Sequence, residues 1–153
     1  HPSLGSASFP SRDGTVEKKS ITCGKPPIMA SLSSLANLPT LKTIDGADLP
    51  ASVFHGKVTL AVNVASACGY TNSGYGTMKE LAEMYPNDLV VVAIPCNQFG
   101  KQENGNSSEI AAFARGKSAK LVITERTDVN GSKVHPIMAI GKAKFPGDVR
   151  VRT

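Results

Sequence analysis

The stretch VTLAVNVASACGYTNSGY, residues 58–75, decides the fold of this chain. Nearly every position up to Val64 is apolar, which predicts a strand centred on Leu60 and buried on both faces, as in a parallel or mixed sheet covered by helices. Cys68 follows in a glycine-containing turn. A cysteine that only packs normally lies inside such a strand, so Cys68 is a candidate for chemistry.

The residues after this turn predict a helix and then a second strand. Apolar residues recur at helical spacing between Ser73 and Tyr85, and Pro86-Asn87 ends the run. The segment DLVVVAIP, residues 88–95, has the continuous apolar character of another buried strand. Strand, helix and strand form a βαβ unit, so we expect two parallel strands joined by a right-handed crossover.

A hairpin and a second helix are predicted on either side of this unit in the sequence. Asp45-Gly46 suits the turn of a hairpin between two short strands. A helix is expected over residues 107–115, with Asn106 as its N-cap and Glu109 as the capping-box partner. Gly116 would then stop this helix.

The last predicted elements are a short strand and a third helix. The segment KLVITERTDVNG, residues 120–131, contains the strand and a turn at Asn130-Gly131. Pro136 suits the first turn of a helix, and His135 before it is interpreted as a capping or surface residue rather than a metal ligand. The Asn130-Gly131 turn lacks the later glutamate that a calcium loop needs. His55 has no second ligand at the spacing of a zinc site.

Length and composition indicate one globular domain with a separate leader. The chain has 153 residues, of which 41% are hydrophobic and 19% are charged. No apolar run reaches the ~20 residues that a membrane-spanning helix needs. Residues 1–28 are rich in Ser, Pro, Gly and Lys without strand or helix periodicity, so we interpret them as a disordered or non-native leader. Residues 29–153 are the predicted domain.

The charge and cysteine content exclude several classes of function. The formal charge is +5, but residues 29–140 hold nine basic and nine acidic residues and no tryptophan, which argues against nucleic-acid binding. Three cysteines without a C-x-x-C spacing argue against a disulfide scaffold and a zinc site. We therefore predict a reducing compartment, the cytoplasm, and leave organellar targeting by the leader open.

A candidate site follows from the positions of the two predicted strands. Reactive groups collect beyond the carboxyl ends of parallel strands, where Cys68 and the segment PCNQFGKQE, residues 95–103, would share a shallow site. Free N–H groups of the next helix favour the thiolate of Cys68, and so a redox-active nucleophile. The amides that could donate hydrogen bonds to its sulfur are those of Asn97, Gln98 and Gln102. Spacing alone leaves open an inert thiol, or an acyl-transfer nucleophile approached by His135.

The motifs GKVTLAVNVASACGYT, AIPCNQFGKQE, EIAAFA and DVNGSKVHPIM carry a family resemblance. In order and spacing the chain resembles cysteine-containing glutathione peroxidases over residues 38–140. The resemblance implies an α/β, thioredoxin-like fold with a mixed sheet flanked by helices, and reduction of hydrogen peroxide and organic or lipid hydroperoxides by a thiol. Cys68 matches the peroxidatic cysteine or selenocysteine, which becomes a sulfenic acid, and Gln102 matches the glutamine that polarises the peroxide. No metal or other cofactor is implied, only glutathione or thioredoxin as reducing co-substrate.

The chain departs from this family pattern in three respects. It has no tryptophan for the family's Trp-Asn pair, and the C-terminal strands and closing helix are expected to be missing, which would expose a sheet edge. Where thioredoxin-dependent members carry a resolving cysteine, the chain has Ala114 and Arg115. We interpret Cys96 as a packing residue and Cys23 as a poor resolver in the leader, so we expect glutathione rather than thioredoxin. The alternative is a peroxide-sensing or relay thiol protein, or an inactive peroxidase fragment, of undetermined oligomeric state.

Overall fold

The computed structural model describes residues 34–150, which form two small sheets, three α-helices and two short 3₁₀ turns. The predicted leader and Cys23 lie outside this range. In chain order the elements are a 3₁₀ turn (Leu35–Asn37), β1 (Leu41–Lys42), β2 (Asp48–Leu49), a 3₁₀ turn (Ala51–Phe54), β3 (Val58–Val64), α1 (Thr71–Met84), β4 (Leu89–Pro95), α2 (Ser107–Lys117), β5 (Val122–Ile123) and α3 (Pro136–Lys144).

The central sheet has the strand order β3-β4-β5, and all its pairs are parallel. The register runs from Val58 opposite Leu89 to Val64 opposite Pro95, so the carboxyl ends of β3 and β4 lie side by side. The predicted βαβ unit is therefore confirmed. Because these two ends coincide, the loops that follow them begin at the same edge of the sheet.

Helices cover both faces of the central sheet. Residues of α1 and α2 pack with Val91 and Ala93 of β4 on one face, and residues of α3 pack with Val90 and Val92 on the other. Alternate side chains of a strand point to opposite faces, so β4 supplies both cores and is buried throughout its length after Leu89. The continuous apolar sequence of β4 is thus explained by its central position.

The prediction of burial on both faces is wrong for β3. Val58 is 69% exposed, and the next five residues of the strand are only half-buried. Within residues 34–150, β3 pairs with β4 alone, so its other edge carries no strand to cover the side chains beside it.

The other edge of the sheet is covered by the predicted hairpin of β1 and β2. Its turn contains Gly46 at φ 79°, a backbone conformation that side-chain-bearing residues rarely adopt. The Ile44 N–H donates to the carbonyl of Ile123 in β5 at 2.9 Å, and the Glu125 N–H donates to the Lys42 carbonyl at 3.1 Å. These two bonds give partners to backbone groups at the edge of β5 that would otherwise lie unpaired in solvent.

The helix boundaries follow their predicted signals with one correction. The capping box of α2 is present, because the Asn106 side chain accepts from the Glu109 N–H and the Glu109 carboxylate accepts from the Asn106 N–H. Gly116 does not stop α2, which continues to Lys117 and has Ser118 as its C-cap. Gly116 lacks the positive φ of a glycine cap, so the last turn stays helical. No helix in the described range is both long and apolar enough to span a bilayer.

Candidate active site

The loops after β3 and β4 meet at the carboxyl edge of the sheet, as predicted. Cys68 lies four residues beyond the end of β3, and the segment 95–103 begins at the last residue of β4. The Ala67 N–H donates to the Gln102 carbonyl at 3.1 Å, which joins the residue before Cys68 to the backbone of Gln102. The fold therefore brings both predicted site residues to one place.

A threonine fixes the turn that carries Cys68. The Thr71 hydroxyl donates to the Ala65 carbonyl at 2.6 Å and accepts from the Cys68 N–H at 3.2 Å. The Thr71 N–H donates in turn to the Cys68 carbonyl at 3.0 Å. Since α1 begins at Thr71, the half-buried Cys68 precedes the helix N-terminus, which is the position that the sequence predicted.

Cys68 and Gln102 line the same groove, which has a volume of about 750 Å³. Its walls are mainly apolar and come from β3, α1 and the loop after β4. They include Leu60, Val62, Met78, Leu81 and Phe99. The charged residue in the lining is Arg150. An apolar groove with a few polar groups beside a thiol suits a small organic substrate better than a macromolecular strand.

The side chain of Gln102 makes no hydrogen bond to another residue in the described part of the chain, so its amide is free to bind a ligand. A tight turn places it. Gly100 (φ 63°) and Lys101 (φ 53°) both adopt the left-handed conformation immediately before Gln102. A Cβ at Gly100 would lie 3.6 Å from Gln102 Cγ, so the turn and the Gln102 side chain also pack together.

The predicted amide donors Asn97 and Gln98 do not belong to this groove, and that expectation is wrong. The Asn97 side chain accepts from the Glu103 N–H at 2.9 Å and donates to Asn104 at 3.2 Å. The Gln98 side chain accepts from the N–H of Val129 at 3.0 Å and donates to the Asn130 carbonyl at 3.0 Å. Both amides satisfy backbone groups of loops that have no strand or helix partner, which accounts for their orientation.

Glu103 is a residue that sequence reasoning missed. It is 0% exposed, and its Oε1 accepts from the Ser66 hydroxyl at 2.5 Å, whereas Oε2 has no hydrogen-bond partner among the described residues. Burial raises the pKa of the Glu103 carboxyl, against the opposing effects of the Ser66 bonds and of Arg126. Its position in a polar, glycine-containing loop gave no signal of burial.

Tyrosine and arginine side chains complete the surroundings of Glu103. Burial, with a smaller contribution from Glu103, raises the pKa of Tyr75 to about 12, so its hydroxyl stays neutral. Arg126 donates to the carbonyls of Glu103 at 2.9 Å and Gly105 at 3.1 Å, which holds the loop rather than the carboxyl group.

The remaining candidate residues have structural roles. Cys96 lies at the floor of the same groove but is only 1% exposed, and its thiol lies 3.7 Å from Gln98 Oε1, which is consistent with its interpretation as a packing residue. His135 is buried and caps α3, because its Nδ1 accepts from the Ile137 N–H at 3.3 Å. Within residues 34–150, no group of three or more His, Cys, Asp or Glu side chains could hold a metal ion.

The chain is similar in sequence to known proteins. The sequence model of a family described as glutathione peroxidase matches residues 38–142. The chain is 46% identical over 110 residues to glutathione peroxidase 2 of Caenorhabditis elegans, covering 71% of this chain and 68% of that protein. It is 44% identical over 110 residues to phospholipid hydroperoxide glutathione peroxidase 1, chloroplastic, of Arabidopsis thaliana, covering 71% of this chain and 47% of that protein. The chain thus spans about half the length of the Arabidopsis relative.

A solved structure supports the fold. The chain is similar to the crystal structure of Trgpx in its apo form, with a TM-score of 0.52 and 29% identity over 74% of this chain and 67% of the other. The predicted thioredoxin-like fold is therefore confirmed, and the groove with Cys68 and Gln102 lies at the carboxyl ends of its parallel strands.

Proposed function

Because the chain belongs to the glutathione peroxidase family, we propose that it is a thiol peroxidase that reduces hydrogen peroxide and organic or lipid hydroperoxides at Cys68. The observation that carries this proposal is the groove that Cys68 shares with the unpaired amide of Gln102. A nucleophile and a neutral hydrogen-bond donor on one apolar groove match the needs of O–O bond cleavage, in which negative charge develops on the leaving oxygen.

The proposed reaction begins with attack of the Cys68 thiolate on one peroxide oxygen. The new S–O bond forms as the O–O bond breaks, so the sulfur is oxidised to a sulfenic acid and the peroxide is reduced. The leaving oxygen departs as hydroxide or alkoxide and takes up a proton to give water or an alcohol. The Gln102 amide donates to that oxygen as its charge develops, without gaining or losing a proton itself.

Glutathione is the proposed reductant. Its thiol condenses with the sulfenic acid to give a mixed disulfide and water, and a second glutathione releases Cys68 and forms glutathione disulfide. Thioredoxin acts on an intramolecular disulfide, which needs a second sulfur with Cα atoms within ~7 Å. Ala114 and Arg115 replace the resolving cysteine of thioredoxin-dependent members, and Cys96 is buried in the core.

The proposal is tested by steady-state peroxide consumption with glutathione. Cys68→Ser should abolish consumption, because a serine hydroxyl cannot be oxidised in this way. Cys96→Ser is the matched control and should retain turnover when circular dichroism shows that it is folded. Unchanged consumption in the Cys68→Ser protein would assign the chemistry to another group.

A sensing or relay function is the rival that one observation favours. Ala114 and Arg115 stand where thioredoxin-dependent members carry a resolving cysteine, so a sulfenic acid on Cys68 would need a thiol from another molecule. A protein of this kind would form the sulfenic acid once and pass it to a partner thiol. Oxidation of Cys68 without repeated turnover under either glutathione or thioredoxin would establish the rival.

The compartment remains a prediction from the cysteine content. We expect the cytoplasm, where thiols stay reduced, whereas the Arabidopsis relative is named as chloroplastic. Fractionation of cells that express the full chain with a C-terminal tag distinguishes the two.

A further inference from the structure

We infer that Glu103 is a positioning residue for the peroxide reaction, tying the turn that carries Cys68 to the loop that carries Gln102. This inference rests on the proposed function, and it assigns a role to a side chain that does not line the groove itself. The relevant geometry is the pair of bonds that join the two loops.

The two loops are joined by one side-chain bond and one backbone bond. Ser66 Oγ donates to Glu103 Oε1 at 2.5 Å, and the Ala67 N–H donates to the Gln102 carbonyl at 3.1 Å. Ser66 is two residues before Cys68, and Glu103 directly follows Gln102. The bonds therefore bracket both reacting groups, and without Glu103 only the backbone bond would set their separation.

Glu103 can transmit this constraint because its own backbone is fixed on both sides. Its N–H donates to Asn97 Oδ1 at 2.9 Å, just beyond the end of β4. Its carbonyl accepts from Arg126 at 2.9 Å, from the segment after β5. Glu103 is thus held against the sheet by two neighbouring segments. The hydrogen bond from Ser66 to its carboxyl group then fixes the position of Ser66.

Burial raises the pKa of the Glu103 carboxyl group, against the opposing effects of Ser66 and Arg126. The groups that face it are the Ser66 hydroxyl, the neutral Tyr75 phenol and, at longer range, Arg126, which is already bonded to backbone carbonyls. Its Oε2 is buried without a partner in the described part of the chain, and an ionised oxygen there would be costly. A glutamine side chain has the shape of glutamate and keeps an oxygen that can accept from the Ser66 hydroxyl, so Glu103→Gln should preserve the link to Ser66.

The experiment compares two reactions of Cys68 in Glu103→Ala, Ser66→Ala and Glu103→Gln. One is single-turnover oxidation by hydrogen peroxide without reductant, which depends on Gln102. The other is alkylation by iodoacetamide, which needs the thiol but not the peroxide-polarising amide. Glu109→Ala is the matched control, because Glu109 makes a hydrogen bond in the capping box of α2 and lies outside the groove.

We expect Glu103→Ala and Ser66→Ala to slow oxidation by about 10- to 100-fold, since a misplacement of ~1 Å can cost on the order of 10²-fold. Alkylation should change much less. The double variant should be no slower than Glu103→Ala, because Ser66→Ala removes a bond that Glu103→Ala has already removed. Glu103→Gln should restore the rate, and Glu109→Ala should lower thermal stability without slowing oxidation.

Three results would overturn this inference and leave the proposed function intact. They are unchanged oxidation in Glu103→Ala, an equal loss of oxidation and alkylation in Glu103→Ala, or a Glu103→Gln protein as slow as Glu103→Ala. If Glu103→Ala does not fold, Ser66→Ala carries the same test from the other side of the bond. Failure of the wild-type Cys68 to react with peroxide would instead overturn the proposed function, and the inference with it.

Discussion

Gln102 shows how one amide can be available for chemistry while its neighbours are not. Its side chain lies on the groove without a protein hydrogen bond in the described range, whereas Asn97 and Gln98 bond loop backbone groups. The sequence grouped these three amides together near the sulfur. It could not separate them, because the partners of Gln98 are more than thirty residues away in the chain, and the bond from the Glu103 N–H to Asn97 depends on how their shared loop folds.

Replacing Gln102 by alanine should slow peroxide attack without unfolding the protein. Loss of one donor to a developing oxyanion costs on the order of 10²-fold, and less where backbone donors remain. Stopped-flow oxidation of Cys68 and a thermal melt measure the two effects separately. The matched variant is Gln98→Ala, which removes structural hydrogen bonds and should lower the melting temperature more than Gln102→Ala does. An unchanged oxidation rate in Gln102→Ala would remove this residue from the site.

His135 should make stability depend on pH. Burial lowers its pKa from 6.5 to about 4, because the charged imidazolium would lose solvent and Nδ1 could no longer accept from the Ile137 N–H. The unfolded chain therefore binds a proton at higher pH than the folded chain, and stability is lost as pH falls from about 6.5 to about 4. The loss from this group is on the order of 3 kcal/mol.

Urea unfolding at several pH values in this window tests the His135 effect. His135→Asn keeps an N-cap side chain but does not titrate, so its stability should fall less steeply with acid than that of the wild type. Carboxyl groups contribute equally to both proteins and cancel in the comparison. Parallel pH profiles for the two proteins would contradict the assignment.

At the scale of elements, the predictions that succeeded rest on short-range chemistry. The capping box of α2, the glycine turn of the hairpin and Pro136 at the start of α3 each depend on residues within a few positions. The burial of β3 depended instead on which strands lie beside it, and its two polar residues, Thr59 and Asn63, are too few to mark an edge strand. Periodicity could not distinguish a central strand from one at an edge.

Two glycines in different elements should respond in opposite ways to alanine. Gly100 needs a positive φ in the turn before Gln102, so Gly100→Ala should lower the free energy of unfolding by about 1–2 kcal/mol. Gly76 lies in α1 with open space around its Cα, so Gly76→Ala should raise it by roughly 0.5–1 kcal/mol. Denaturant titration of both variants provides the measurement. A stabilising Gly100→Ala would contradict the observed turn.

At the scale of the whole molecule, the site depends on two parallel strands that end together. The βαβ pattern of the sequence predicts this arrangement, and it therefore predicts that Cys68 and Gln102 lie at one edge of the sheet. It could not reveal Glu103, because a buried carboxyl group is recognised only once its partner Ser66, distant in the chain, is seen beside it. The position of Cys68 was readable from the sequence, and the bond between Ser66 and Glu103 was not.

The most direct test of the account is peptide-resolved mass spectrometry of the full chain after one equivalent of hydrogen peroxide, with and without glutathione. Without glutathione, the peptide that contains Cys68 should gain one oxygen atom, and dimedone added with the peroxide should instead leave a dimedone adduct that identifies the sulfenic acid. With glutathione, the same cysteine should carry a glutathione adduct. A prompt disulfide between Cys68 and Cys96 that thioredoxin reduces, or an unmodified Cys68, would contradict the account.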